Sequence, residues 1–416
     1  MSNIMSKHDT PKTPLPEPLS GLAVGSFAYN TITKRFPKII RQVLADNDFP
    51  KEVSLNLENL IQDIPLTTLR PLLDTSAPDF QDWQGYLTPY LDKNWLQVPW
   101  FTAEMYFYRR ILEAIGYYQP GPFQGYDPFL KQKQIVLESA SDAIRHLGKQ
   151  LDQFLNAQHI GESIRRAELQ ELLLLNVWGN QADLSMWSAS EDRPDHQNSN
   201  DQQTHLLVDD TEMVVNYLIA SGNKTNRVDF ILDNYGPELV YDIGLADYLL
   251  STQMVSEIRF HAKPRPHYVS DAMIKDVHAT IDYLASDQDN SVRGLALRMK
   301  EHIHGGRLEI KEDFFWTSPL IFWEMPKHIL QELSASALVI SKGDANYRRL
   351  TGDRNWSPTT PFSDVVSYFP TPLLALRVLK AELALGLTSE KVQELEKREP
   401  DWKFSGNWAV IQYFNP

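Results

Sequence analysis

The sequence predicts an α/β protein in which a doubly wound sheet follows a helical N-terminal region. Two observations support this fold class. From residue 205 onward, short apolar runs alternate with amphipathic helical patterns, which is typical of a doubly wound sheet. Before residue 185, the apolar residues mostly recur with a helical period. The 416 residues are enough for two cores, or for one large α/β domain with a helical extension.

Composition excludes several classes of protein. The chain has no cysteine, which rules out disulfides, thiolate metal sites and a thiol nucleophile. The formal net charge of -14 argues against a general nucleic-acid-binding surface, although it permits a local basic pocket. The start of the chain lacks the apolar segment of a signal peptide, and no uncharged apolar run approaches the roughly 20 residues of a membrane span. We therefore expect a cytoplasmic protein.

Changes in composition divide the chain into four parts. Residues 1–20 are rich in Pro, Ser, Thr and Lys and are expected to be extended or disordered. Residues 21–185 form the predicted helical N-terminal region. The polar tract 188–204 has almost no apolar residues, which indicates an exposed loop. Residues 205–416 form the predicted α/β core.

Within the N-terminal region, an unusually aromatic helix is predicted after Pro99. Glu104 lies on this helix, and the residue pattern alone favours a core helix in which Glu104 is solvated or paired. Two further long helices are predicted at 134–155 and 164–175. The second leads into the polar stretch 176–185, which is either a capping network or a ligand-binding loop.

The core region contains apolar runs of strand length separated by helical patterns. The predicted strands are 206–208, 228–232, 257–260, 307–310, 337–341, 373–379 and 408–414, with 314–316 as a further strand or strand-loop. The predicted helices are 211–221, 237–251, one starting near 271, and 326–333.

Hard oxygen donors follow two of these strands. Asp233 and Asn234 come directly after the run 228–232, and Asp271 follows the next strand along the chain. Ligands of open α/β sheets bind at the carboxyl ends of the strands. Oxygen donors without cysteine suit Mg, Mn or another divalent ion rather than structural zinc. The alternative is that Asp233 or Asn234 only caps the following helix.

Positive charge is predicted at the same edge. Lys342, Arg348 and Lys380 follow two other strands, and Gly343 permits close approach of the backbone. A metal ion opposite cations suits phosphoryl transfer to water, because both stabilise charge on the phosphoryl oxygens. The alternative is a solvated loop held by ordinary salt bridges. The sequence has no G-x-S-x-G, Walker A or G-x-G-x-x-G motif.

Five segments together resemble one known family, the metal-dependent damage-control phosphatases, in the subfamily also called acidic-residue methyltransferase-like. They span residues 99 to about 380 in the family's order. The segments are PWFTAEMYFYRR (99–110), NVWGNQADLS (176–185), FILDNYGPELVYDIGLADYLL (230–250), YVSDA (268–272) and KGDANYRRLTGD (342–353).

The resemblance implies a three-layer α/β/α Rossmann-like core with the helical N-terminal region packed on it. It also implies a phosphatase that requires a divalent metal ion (Mn, Mg, Co or Ni). The expected substrates are small phosphorylated metabolites such as hexose phosphates, of the fructose 1-phosphate or fructose 6-phosphate type. The expected partners include neither nucleic acid nor membrane, and the oligomeric state is left open.

The resemblance also assigns residues to roles. The implied metal ligands are Asp233, Asn234 and Asp271. The implied substrate-binding residues are Glu104, Asp233, Asn234, Asp344, Ala345, Asn346, Tyr347, Arg348 and Lys380. The implied catalytic residues are Asp233, Asn234, Arg377 and Lys380. The family's R-T-x-K motif occurs here as 377–380, with Val378 in place of the threonine.

Two other functions remain open. One is an S-adenosylmethionine-dependent carboxyl methyltransferase, suggested by the subfamily's second name, although the sequence has no glycine-rich methyl-donor loop. The other is a metabolite-binding protein without turnover.

Overall fold

A computed structural model describes residues 10–157, 161–179, 203–221 and 227–416. Within these ranges, no helix combines the length and the apolar character that crossing a membrane requires. The predicted exposed loop 188–204 lies outside the described residues except for its last two positions.

One seven-stranded sheet organises the fold, in the order β1-β7-β6-β5-β2-β3-β4. The five strands β6, β5, β2, β3 and β4 run parallel, whereas β7 is antiparallel to β6 and β1 pairs with β7. The carboxyl ends of the five parallel strands therefore meet at one edge. The strands are β1 (Leu206–Asp209), β2 (Arg227–Ile231), β3 (Glu257–Ala262), β4 (Leu308–Glu312), β5 (Leu338–Lys342), β6 (Leu373–Val378) and β7 (Ala409–Phe414).

Helices precede the sheet in the N-terminal region and then alternate with its strands. The helices in the described ranges are α1 (Phe27–Asn30), α2 (Phe36–Asp46), α3 (Lys51–Asp63), α4 (Phe80–Leu87), α5 (Trp100–Ile115), α6 (Leu130–Ser139), α7 (Ser141–Asn156), α8 (Glu162–Trp178), α9 (Thr211–Ser221), α10 (Pro237–Ser251), α11 (Ile274–Ala285), α12 (Asn290–His304), α13 (Lys327–Ser334), α14 (Gly343–Thr351), α15 (Phe362–Val365) and α16 (Ser389–Arg398). A π-helical turn, Thr31–Arg35, joins α1 to α2.

Both faces of the sheet are covered by helices and connecting segments. Neighbouring residues of β2 enter different cores, because successive side chains of a strand point to opposite faces. Phe230 packs with α7, α8, α9, α10, α11 and α12, whereas Ile231 packs with α13, α14, α15 and α16. The prediction of an α/β/α core with a helical N-terminal region is confirmed.

The N-terminal region has a hydrophobic core of its own, which extends from Leu19 to Phe129 and centres on α5. Helices α7 and α8, which the sequence assigned to the N-terminal region, instead contribute Leu147 and Leu172 to the core beside the sheet. The change between the two cores therefore falls near α6, earlier than the predicted boundary at 185.

Residues 10–20 are extended, which is one of the two predicted alternatives, whereas two other segments differ from the local expectations. The stretch 10–20 runs along the core, with Leu19 buried and its amide donating to the Asp353 carbonyl oxygen at 2.8 Å. Residues 314–317, expected as a strand or strand-loop, form a 3₁₀ turn. The polar segment after β5, expected as a loop, is helix α14, because its side chains find partners within the fold.

Candidate active site

A cleft of about 220 Å³ lies where the carboxyl ends of the parallel strands face the start of α5 and the first residues of the N-terminal region. Strands β2, β3, β5 and β6 and the segments that follow them supply one wall, and the N-terminal region supplies the other. The lining residues are Phe27, Arg35, Trp100, Glu104, Val177, Asp233, Asn234, Glu238, Tyr268, Ser270, Asp271, Gly343, Asp344, Ala345, Arg348, Leu376, Val378 and Lys380.

The three predicted metal ligands are brought together in this cleft. Asn234 and Asp271 form an antiparallel backbone bridge between the segments that follow β2 and β3. The Ala272 amide donates to the Asp233 carbonyl oxygen at 2.8 Å. Backbone pairing thus sets the positions of Asp233, Asn234 and Asp271, because neighbouring parallel strands end side by side.

The segment before Asp271 has a strained backbone. Tyr268 and Val269 have φ values of 42° and 67°, in the left-handed region that bulky and β-branched residues avoid. Such conformations cost about 1–3 kcal/mol and cluster at functional sites. Tyr268 and Ser270 of this turn both line the cleft.

Asp271 combines deep burial with unsatisfied oxygens. Neither carboxylate oxygen receives a hydrogen bond from the described residues, and the nearest cation, the Lys263 ammonium, is 3.6 Å from Oδ2. Burial raises the pKa of Asp271 to about 6, against the opposing effect of Lys263. A buried carboxylate with open lone pairs is the arrangement that a bound cation satisfies.

Asp233 is a second buried carboxylate whose negative charge is unfavourable in its surroundings. Burial, and then the nearby carboxylates of Glu238 and Asp271, raise its pKa well above the usual range. A divalent cation would relieve this repulsion. In the part of the chain that the structure describes, no three His, Cys, Asp or Glu side chains are grouped closely enough to hold a metal ion. A metal site here would need the amide oxygen of Asn234 as well as the two aspartates.

Gly343 is required at the start of α14 by the proximity of Asp233. It has a φ of 81°, and a Cβ atom there would lie 2.0 Å from Asp233 Oδ2. The close approach places the N-terminus of α14 in the cleft, with Gly343, Asp344 and Ala345 all lining it. Helix N-termini favour bound anions, because their first amides lack partners within the helix.

Two cations that line the cleft are free to meet a ligand. Arg35 and Lys380 are exposed, and neither forms an ion pair with another described residue. They come from opposite walls: Arg35 ends the π-helical turn and Lys380 follows β6. π-helical turns are frequently found at functional sites.

Arg348 also lines the cleft, but it is tied to carboxylates. Its guanidinium donates to Glu104 Oε2 at 2.5 Å and to both oxygens of Asp353, and it stacks 3.6 Å from the Trp100 ring. Asp353 and Glu104 hold the pKa of Arg348 well above its usual value although burial opposes the charge. Tyr268 donates to the same Glu104 oxygen at 2.9 Å. Arg348 therefore joins the two walls.

Three predicted site residues lie outside the set that lines the cleft. Asn346 donates to the carbonyl oxygens of Leu232 and Lys342, and Tyr347 donates to Gln412 at 2.7 Å. The buried Arg377 guanidinium lies 2.7 Å from Asp344 Oδ1 and also donates to the carbonyl oxygen of Leu383. These side chains support the cleft from behind.

Lys342, expected to offer positive charge at the edge of the sheet, is also buried. Its ammonium lies 2.9 Å from Asp242 and donates to Asn176 Oδ1 at 2.5 Å.

The alternative that Asp233 or Asn234 merely caps the next helix is not supported. The N-cap of α10 is Gly236, and no side chain bonds to it.

Several lining residues were assigned no role from the sequence. They are Phe27, Arg35, Trp100, Val177, Glu238, Ser270, Tyr268, Leu376 and Val378. Glu238, Tyr268 and Ser270 lie within the segments 230–250 and 268–272. Their closeness in sequence to the expected metal ligands could therefore have indicated that they line the site. Phe27 and Arg35 have no such signal, because they are remote in sequence from every strand end.

Comparison with known proteins settles the family. The model of the damage-control phosphatase ARMT1-like domain matches residues 31–395. The chain belongs to this family. It is 34% identical to the zebrafish (Danio rerio) damage-control phosphatase ARMT1, over 96% of this chain and 97% of that protein. It is 32% identical to the human protein of the same name, over 97% and 99% of the two chains. The family predicted from the sequence is thereby confirmed.

The ARMT1-like fold is also similar to a solved structure. A DUF89 family protein from Pyrococcus horikoshii superposes with a TM-score of 0.50, covering 92% of this chain and 96% of that one, at 12% sequence identity. At that identity the likeness concerns the fold alone.

Proposed function

We propose that this ARMT1-like protein is a divalent-metal-dependent phosphomonoester hydrolase that acts on small phosphorylated metabolites such as hexose phosphates. One observation carries the proposal. Asp233, Asn234 and Asp271 line one cleft, and the buried Asp271 carboxylate receives no hydrogen bond from the described residues. Oxygen donors of this kind suit Mg, Mn and related ions.

The size of the cleft supports a small substrate. Its volume of about 220 Å³ lies below the roughly 300–1,000 Å³ of sites for drug-sized ligands. The lining is polar near Asp233 and aromatic at Phe27 and Trp100. A phosphorylated sugar matches this division, because it has one anionic end and a compact ring.

Each part of the cleft is assigned a role. Asp233, Asn234 and Asp271 would hold the metal ion, which supplies Lewis-acid polarisation of a phosphoryl oxygen when bound. The Lys380 ammonium and the first amides of α14 would bind the remaining phosphoryl oxygens.

The sugar side of the cleft is assigned to Glu104. Its Oε2 already accepts from Arg348 and Tyr268, so Oε1 is the atom we assign to a sugar hydroxyl. Asp344 and Ala345 would contact the substrate directly, because both line the cleft. Asn346, Tyr347 and Arg377 would act by positioning α14 and the segment after β6. The overall reaction breaks the bond from phosphorus to the metabolite oxygen and forms one from phosphorus to a water oxygen.

The test is a phosphate-release screen with chelator-treated protein. Sugar phosphates are offered with no added metal and then with Mg, Mn, Co or Ni, and Asp233→Ala is run in parallel. We expect release only with added metal, and none above background from the variant while its circular dichroism is unchanged. Full activity of the chelated protein would refute the metal requirement. Methyl transfer from S-adenosylmethionine without release from any phosphometabolite would refute the phosphatase.

A further inference from the structure

Glu238 is a buried carboxylate of the cleft for which the proposed reaction has no role so far. It lies in the first turn of α10, four residues after Asn234. Its side chain is almost fully buried and lines the same cleft as Asp233 and Asp271. A carboxylate at this depth beside two others is costly unless it is held by specific partners.

The hydrogen bonds of Asn234 show what Glu238 does. The Asn234 amide nitrogen donates to Glu238 Oε2 at 2.9 Å and to Asp233 Oδ2 at 2.6 Å. A carboxylate that is ionised only accepts, so the contact with Glu238 requires the NH₂ end of the amide on this side. The amide oxygen is left on the other side, where the Ser270 hydroxyl donates to it at 2.5 Å.

Glu238 itself lies near a buried lysine, Lys342. The buried Lys342 ammonium lies 3.7 Å from Glu238 Oε1 and 2.9 Å from Asp242 Oδ1. Asn176 of α8 accepts from the same ammonium through its backbone and side-chain oxygens. Lys342 thus balances the negative charge of Glu238 and links it to α8 through Asn176. Lys342 keeps Asp242 as a partner if Glu238 loses its charge.

We propose that Glu238 is a positioning residue that sets the orientation of the Asn234 amide, so that its oxygen faces a divalent metal ion. This inference rests on the proposed metal-dependent function. A carbonyl oxygen has two lone pairs, so Asn234 Oδ1 can accept from Ser270 and still bind a cation. Glu238 acts through Asn234 rather than as a ligand, because its Oε2 accepts from the Asn234 amide and its Oε1 lies near the Lys342 ammonium.

The test is the affinity of chelator-treated protein for Mn²⁺, measured by isothermal titration calorimetry without substrate. Glu238→Gln keeps the shape, but its amide can turn an NH₂ toward Asn234 and remove the preference for one orientation. Glu238→Asp keeps the charge and withdraws the acceptor by one methylene. Loss of partners that orient metal ligands typically costs 10–100-fold in metal affinity, and we expect a loss in that range for both variants.

The control is Glu168→Gln. Glu168 is also a buried glutamate that accepts one short hydrogen bond, from Tyr248 at 2.6 Å, but it does not line the cleft. Its variant should bind Mn²⁺ as the wild type does. Circular dichroism checks the fold of all three variants.

Two results would overturn this inference alone. Wild-type affinity in Glu238→Gln would show that the contact does not orient Asn234. Wild-type affinity in Glu238→Asp, with a loss in Glu238→Gln, would show that only the charge matters. A wild-type protein that binds no divalent ion would overturn the proposed metal-dependent function together with this inference.

Discussion

The close contact between Gly343 and Asp233 makes a sharp prediction for Gly343→Ala. The added Cβ would lie 2.0 Å from Asp233 Oδ2 and 2.2 Å from Asp233 Cγ. Real Cβ atoms essentially never approach a heavy atom below 3.0 Å, so Asp233 or the start of α14 must move by about 1 Å. The left-handed backbone, with a φ of 81°, adds about 1–2 kcal/mol of strain.

Gly306→Ala is the matched control. Gly306 has a φ of 70°, and its Cβ would meet no heavy atom within 4 Å. Both variants should therefore lose about 1–2 kcal/mol of unfolding free energy from backbone strain. Only Gly343→Ala should also displace Asp233, and misplacement by about 1 Å can cost on the order of 10²-fold in rate.

The assay combines urea denaturation, Mn²⁺ titration and phosphate release for both variants. We expect Gly306→Ala to keep wild-type metal affinity and turnover, and Gly343→Ala to lose both. Wild-type metal affinity and turnover in Gly343→Ala would refute the reasoning that Asp233 and α14 form one tightly packed site.

Three further predictions concern residues around the cleft. Arg348→Met leaves the buried Glu104 and Asp353 without their cation, so urea denaturation should show a loss of about 3–5 kcal/mol. Burial lowers the pKa of His267 well below its usual value, so only the unfolded state gains its proton as the pH falls below about 6.5. The unfolding free energy should thus fall by about 1.4 kcal/mol from this group between pH 7.5 and 5.5, and His267→Gln should remove that part of the dependence. Arg35→Ala should raise KM more than it lowers kcat in phosphate-release kinetics, since Arg35 lines the cleft from the N-terminal region, whereas the proposed metal ligands follow strands of the sheet; an unchanged KM would exclude a role in binding.

The positions of the predicted metal ligands could be inferred from sequence for a physical reason. Asp233, Asn234 and Asp271 follow apolar strands, and parallel strands place such residues at one edge. The partners of buried cations could not be inferred in this way. Arg348 and Glu104 are 244 residues apart, so no local spacing predicts their contact.

The sequence pattern also does not distinguish residues that have similar chemistry but different surroundings in the fold. Arg377 and Lys380 are three residues apart, and the family resemblance implies a catalytic role for both. The structure turns the Arg377 guanidinium toward Asp344 and the Leu383 carbonyl oxygen, whereas Lys380 lines the cleft. Which cation meets a ligand depends on the packing of the segment after β6, which the sequence pattern does not encode.

The most direct test of the account compares wild type with Lys380→Met, scoring phosphate release from a sugar phosphate and methyl transfer from S-adenosylmethionine in the same metal-loaded samples. Lys380 is exposed and has no ion-pair partner in the described ranges, so its loss should leave the fold intact by circular dichroism. Removing a group that stabilises transition-state charge costs on the order of 10²–10³ in rate. The account predicts phosphate release by the wild type, a loss of at least about 10²-fold in the variant, and no methyl transfer by either. Methyl transfer without phosphate release would contradict the phosphatase, and unchanged release by the variant would remove Lys380 from the site.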